Sequence, residues 1–156
     1  RSMKIRILSI GNKCPSWIKT GFEEYAKRMP REMPLTLLEM QAPRHHADPA
    51  KYQQDEAQKL LAQIGKNDWV IALDEHGTSV TSVDLAKGLK DWQMDGRDVA
   101  FLIGGADGLA KEVLSRANQK ISLSKLTFPH YMVRVILAEA VYRAWSISTG
   151  HPYHRV

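Results

Sequence analysis

Imidazole, phenol and guanidinium groups crowd the last residues of this chain, His151-Pro152-Tyr153-His154-Arg155. Such groups exchange protons near neutral pH, bind phosphate and stack on bases. His151 and His154 are spaced i,i+3, which raises the question of a metal. With one cysteine in the chain, Cys14, and no carboxylate nearby, zinc is not expected. The imidazoles read instead as proton acceptors, with Tyr153 and Arg155 contacting a base and a phosphate. The competing reading is a disordered terminus, against which two rings and a proline argue.

Three further segments have chemical potential. Ile103-Gly104-Gly105-Ala106-Asp107-Gly108 follows an apolar run and precedes a helical pattern. Glycines there let backbone N–H groups approach a ligand at the carboxyl end of a strand. Their spacing is neither the dinucleotide fingerprint nor a P-loop. Taken alone, the block reads as a tight turn needing a positive φ. Leu73-Asp74-Glu75 places carboxylates where another apolar run ends, as ligand contacts or as solvated loop acids. Ser124-Lys125-Leu126-Thr127-Phe128-Pro129 fits neither helix nor strand, so it either wraps a ligand with its backbone or only connects.

These segments need elements to hold them. Met3 to Ile10 predicts a strand, and Ser16 predicts the cap of a helix reaching about Met29. Leu35 to Met40 predicts a second strand. Gln41 to Pro49 predicts a loop carrying Arg44, His45 and His46. Ala50 to Ile64 has helical spacing with Gly65 as its C-cap. Trp69 to Leu73 and Val99 to Ile103 are continuous apolar runs, hence strands buried on both faces, and Asp74 to Gly77 predicts a loop. Ser82 predicts the cap of a helix to about Met94. A short helix over Leu109 to Asn118, a strand over Ile121 to Leu123 and a final helix from Pro129 to about Ser148 complete the chain. In that last helix Arg134, Glu139 and Arg143 interrupt a broad apolar face. Glu139 and Arg143 form an i,i+4 pair in the favourable order, and Arg134 and Arg143 are expected to face RNA or a partner subunit. The alternation of strands and helices predicts an α/β fold with a mostly parallel sheet and helices on both faces.

The chain has 156 residues, enough to bury a core as one domain without disulfides or metal, and a net charge of +5. That charge fits either a nucleic-acid partner or simple solubility. No apolar run reaches the roughly 20 residues of a membrane span, and no signal-peptide pattern opens the chain. A cytoplasmic protein is expected, with Arg1-Ser2 as a tag remnant and one domain over residues 3–156.

The order of the blocks is more specific than any one of them. Leu73-Asp74-Glu75, then Phe101-Leu102-Ile103-Gly104-Gly105-Ala106-Asp107-Gly108-Leu109, then Leu123-Ser124-Lys125-Leu126-Thr127-Phe128-Pro129-His130, then Arg134-Val135, Tyr142-Arg143-Ala144 and the histidine-rich tail, resembles the SPOUT methyltransferases. Among them the pattern is similar to the ribosomal large-subunit methyltransferase H family, over essentially the whole chain from Met3. The resemblance implies a C-terminal trefoil knot, which general topology rules would not suggest. It also implies a homodimer, the cofactor S-adenosylmethionine, and N3-methylation of a pseudouridine in 23S rRNA. Carried over by position, the cofactor contacts are Leu73, Gly104, Leu123, Ser124, Lys125, Leu126, Thr127 and Phe128. Two departures stand out. Ala106-Asp107 replaces the family's usual Pro-Glu or Ser-Asn, and the loop after Met40 is short and only modestly basic.

An activated methyl donor leaves the protein the task of placement. The acceptor is a weakly acidic N–H whose anion is the better nucleophile. His154 or His130 is therefore expected to accept or relay the proton, with Arg134 or Arg155 stabilising the anion and Tyr153 beside them. The alternative is that these residues only bind RNA. Two other classes stay open: a basic RNA-binding module without catalysis, and a nucleotide-binding oxidoreductase domain that lacks its fingerprint. The homodimer is expected to use the last helix, whose apolar face includes Trp145.

Overall fold

The computed structural model describes residues 2–43, 48–105 and 107–155. The expected alternation holds: β1 (Ile5–Ile10), α1 (Ser16–Ala26), β2 (Leu35–Met40), α2 (Pro49–Ala62), β3 (Trp69–Ser79), α3 (Ser82–Met94), β4 (Val99–Ile103), α4 (Lys111–Arg116), β5 (Gln119–Ser122), α5 (His130–Thr149) and a 3₁₀ turn over Pro152–Arg155. The five strands lie in the order β2-β1-β4-β3-β5, and every pairing is parallel.

The continuous apolar runs have the predicted cause. All five residues of β4 are buried. Because side chains alternate along a strand, Val99, Phe101 and Ile103 point to one core, and Ala100 and Leu102 to the other. The first core is covered by α1, α3 and α5 through Phe22, Leu85, Leu89, Leu137 and Val141. The second is covered by α2 and α4 through Ala57, Leu60 and Val113. Helices on both faces are thus a direct consequence of strands apolar all round.

Several local expectations need correction. Ser16 is the first helical residue of α1, not its cap; Pro15 precedes it without a side-chain hydrogen bond, and the helix ends at Ala26. Thr81, not Ser82, caps α3, in a reciprocal box where Asp84 N donates to Thr81 Oγ1 at 3.0 Å and Thr81 N donates to Asp84 Oδ2 at 2.9 Å. Helix α2 starts at Pro49 behind Asp48, whose side chain accepts from Ala50 N, and stops at Ala62. Gly65 is not its left-handed cap, since it lacks a positive φ. A Cβ there would lie 3.0 Å from Asp68 Oδ1, so space is what the residue provides. Strand β3 does not end at Leu73 but continues to Ser79, with an excursion described below. The short helix is trimmed to Lys111–Arg116, and α5 closes on Gly150 at φ +73°, the left-handed cap that a glycine accepts without strain. The loop residues Arg44, His45 and His46 lie outside the described residues. No described helix is long and apolar enough to cross a membrane.

Candidate active site: a cleft at the carboxyl ends of three strands

The carboxyl ends of β3, β4 and β5 open into a cleft of about 580 Å³, within the size range of small-molecule sites. Three backbone segments build it. The first leaves β3: Leu73 and Thr78 both pair with Ile121, so Asp74, Glu75, His76 and Gly77 bulge out of the ladder as a flap on the rim. The expected loop of acids is therefore an insertion within one strand.

The second segment is the glycine block after β4. Gly108 N donates to Gly105 O at 3.0 Å, closing a tight hairpin, and Gly108 takes φ +76°. The positive φ foreseen for the block is at Gly108. Gly104 is needed for another reason: a Cβ there would sit 2.7 Å from the Gly108 carbonyl carbon. The third segment is residues 123–128. Ser122 Oγ donates to Ser124 O at 3.0 Å, and Leu126 N donates to Ser124 Oγ at 2.9 Å. These bonds curl the chain so that Leu126, 73% exposed, stands open to a ligand. All eight residues assigned from sequence to the cofactor line this one cleft, and His130 joins them from the first turn of α5.

The residues expected to do the chemistry are not brought together within one chain. His130 borders the cleft. Burial, and then the Arg134 charge, hold its imidazole below the ordinary value of 6.5, so the neutral form is favoured. Arg134 contradicts the expectation that it faces RNA or a partner. Its side chain is fully buried. Nη2 donates to Gly11 O at 2.8 Å and Ile10 O at 3.3 Å, Nη1 donates to Cys14 Sγ, and Nε lies 3.4 Å from Glu39 Oε2. It ties α5 to the ends of β1 and β2. Burial outweighs its charge at the Cys14 thiol, whose pKa is raised.

The tail is ordered, at the far end of the same helix. Tyr153 donates its hydroxyl to Glu139 Oε2 at 2.8 Å, the oxygen that Arg143 Nη2 holds at 2.6 Å. Its ring packs 4.7 Å from that of Tyr142 and 6.5 Å from that of Tyr25, centroid to centroid, and the Arg28 and Arg143 guanidinium groups lie over it. Burial and the Glu139 carboxylate push the phenol well above its usual range. His154 Nδ1 is 3.3 Å from Ser146 Oγ. At 1.5 Å per residue, Ser146 lies about 24 Å along α5 from His130. So Tyr153 and His154 are held by their own helix, Arg143 is engaged by Glu139, and none of them is at the cleft. No cluster of three or more histidine, cysteine or acidic side chains able to share a metal ion occurs among the described residues.

Sequence reading missed Glu39 and Cys14 as partners of Arg134, and Glu56, buried behind the glycine hairpin. The last had a signal: Glu56 stands four residues before Leu60, on the apolar stripe of α2.

A parallel sheet with a cleft at its strand ends is the arrangement in which α/β proteins bind small ligands. The family model for a predicted SPOUT methyltransferase matches residues 3–154. Proteins named "Ribosomal RNA large subunit methyltransferase H" align over nearly their whole length. The one from Hahella chejuensis is 48% identical over 98% of this chain and 99% of its own. That from Paraburkholderia xenovorans is 51% identical over 99% and 100%, and that from Burkholderia thailandensis 51% over 98% and 99%. A solved structure, a probable methylase family protein from Haemophilus influenzae Rd KW20, shares the fold with a TM-score of 0.55 at 14% identity, covering 96% of this chain and 69% of that one. The chain belongs to the SPOUT methyltransferase family.

Proposed function

We propose that this enzyme transfers a methyl group from S-adenosylmethionine to N3 of a pseudouridine in 23S rRNA. The observation that carries the reading is the convergence of Leu73, Gly104 and Leu123 through Phe128 on one cleft. The residues fit the cofactor. The space a Gly104 side chain would need is taken by the hairpin's own backbone, leaving main-chain groups to face a ligand, and Leu126 and Phe128 offer apolar surface. The bound cofactor supplies an activated methyl group. The protein's share is to align the acceptor and exclude water. Neutral His130 at the cleft mouth is the proton acceptor or relay of this proposal. Arg134 holds the α5 start from behind rather than meeting the substrate anion.

The substrate class follows the names of the relatives that match end to end. A homodimer belongs to the same reading. The tail's His154 and Arg155 sit far along α5 from their own cleft, so a partner's tail is the means of bringing such groups to it. Trp17, 53% exposed on α1 and in edge contact with Tyr131 of α5, offers apolar surface for that contact. The apolar stripe of α5 itself, Leu137, Val141 and Ala144, is already spent on its own core, so the earlier expectation narrows to the half-buried flank of that helix. A trefoil knot at the C-terminal end, one domain over residues 3–156 and a cytoplasmic site of action complete the proposal. Support for the knot comes from membership of the family; residues 123–128, which leave β5 and precede α5, share the cleft with Ile103 and Gly104 at the end of β4.

The test pairs calorimetry with a methyl-incorporation assay on ribosomes from a strain lacking the modification. S-adenosylmethionine binds, NAD does not, and label appears in 23S rRNA. Binding without incorporation would reduce the protein to a cofactor-binding RNA module, and NAD binding would point to an oxidoreductase.

A further inference from the structure

Helix α2 backs the glycine hairpin with a carboxyl group that the proposed chemistry does not use. Glu56 is 4% exposed, next to Ala57 and one turn before Leu60 of the second core. A Cβ placed on Gly105 would run into Glu56 Oε2, so the carboxyl lies directly against the hairpin's backbone. One turn earlier on the same helix, Gln53 Nε2 donates to the Asp107 carbonyl at 3.4 Å. Gly104, Gly105 and Gly108 meanwhile line the cleft. The hairpin is a thin sheet of backbone between α2 and the ligand space.

We propose that Glu56 is a positioning residue that holds Gly104, Gly105 and Gly108 of the glycine hairpin in their cofactor-accepting arrangement. The proposal rests on reading the cleft as the S-adenosylmethionine site. Its physics is that of a buried carboxyl, which is costly when ionised and useful when it hydrogen-bonds. Among the described residues Asp107 from the hairpin acts on it, and it in turn raises the pKa of Tyr52 on α2. Neither is a cation. Burial first, and Asp107 second, raise its pKa above the ordinary 4.5. The protonated form is therefore the one the folded hairpin favours. The sign follows: the contact is intact at acid pH and is weakened as pH rises from that value through the raised one. Ionisation sets a buried anion beside Asp107, and the hairpin loosens.

The experiment measures S-adenosylmethionine affinity calorimetrically from about pH 5 to about pH 8.5, for the full chain and three variants, with folding checked by circular dichroism. Glu56→Ala weakens binding at least about tenfold. Glu56→Gln, a neutral isostere, retains wild-type acid-side affinity and flattens the pH profile. Gly105→Ala weakens binding, and less so when combined with Glu56→Ala, because the collision partner is gone. Wild-type affinity in a folded Glu56→Ala protein overturns the proposal, and so does a Glu56→Gln profile that falls with pH as the wild type does. If Glu56→Ala does not fold, the Glu56→Gln profile decides. Failure of the wild type to bind the cofactor at any pH would instead overturn the cofactor reading, and this proposal with it.

Discussion

The two ends of α5 are built on opposite principles. At its start the chain presents backbone: a glycine hairpin, a bulge in β3 and the curled 123–128 segment, with His76 and His130 as bordering imidazoles. At its finish it presents side chains: Tyr153, Glu139 and Arg143 in one hydrogen-bonded set, stacked with Tyr142 and Arg28. Backbone geometry is set by glycines and turns and tolerates side-chain changes that leave its path alone. A side-chain cluster is only as ordered as its packing. The comparison teaches that, under the proposed assignment of cofactor to the cleft and RNA to the tail, the two tasks fall at opposite ends of one helix.

The largest expected effect tests that separation. Deleting residues 151–156 abolishes ribosome methylation while S-adenosylmethionine affinity by calorimetry stays within about threefold. Loss of cofactor binding would show that the tail also closes the cleft. Next, Arg134→Met leaves Glu39 without its cation and the Ile10 and Gly11 carbonyls without their donor. Urea denaturation is expected to show a loss of about 3–5 kcal/mol, the scale for breaking a buried pair. A loss under about 1 kcal/mol would mean the arginine is not the strut at the α5 start. Gly104→Val, through a clash with Gly108 rather than with the ligand itself, weakens S-adenosylmethionine by about a hundredfold or more, equivalent to about 2.7 kcal/mol. Unchanged affinity in the folded variant would move the cofactor elsewhere.

At the tail end, Tyr153→Phe removes one hydrogen bond to a carboxylate that is still partly hydrated. About 1 kcal/mol of stability is expected to go, read by thermal or urea unfolding, with the cofactor affinity untouched. The smallest effect is a titration. The His130 imidazole is expected to titrate by NMR below 6.5 and to rise when Arg134 is replaced by Met, which removes the nearby charge. A value at or above 6.5 in the wild type would remove the argument for a neutral imidazole at the cleft.

Much of the cleft was legible from the sequence because backbone sites leave local marks. Two apolar runs declared two buried strands, and the glycines of 104–108 and the patternless 123–128 segment announced turns at their ends. The mechanism behind the glycines was not legible. A positive φ and a steric clash both select glycine, and only the coordinates separate Gly108 from Gly104. The β3 bulge was hidden for a similar reason, since Asp74 to Gly77 reads as a loop whether or not the strand resumes beyond it.

Alternation of strand and helix and burial on both sheet faces were determined by sequence alone, because each follows from periodicity within a short window, whereas the assignment of segments to a cofactor came from the family resemblance of the ordered blocks. Arg134 shows what was not. On a helical wheel it is a polar interruption, expected to face RNA or a partner subunit. In the fold it is fully buried, because the ends of β1 and β2 bring Gly11, Cys14 and Glu39 to it from more than a hundred residues... away in the case of the hydrogen bonds, and from another strand in the case of the carboxylate. The same holds for Glu56 behind the hairpin and Tyr153 on Glu139. Where a polar side chain finds its partner depends on which distant segments share its surroundings, and that is a property of the tertiary structure.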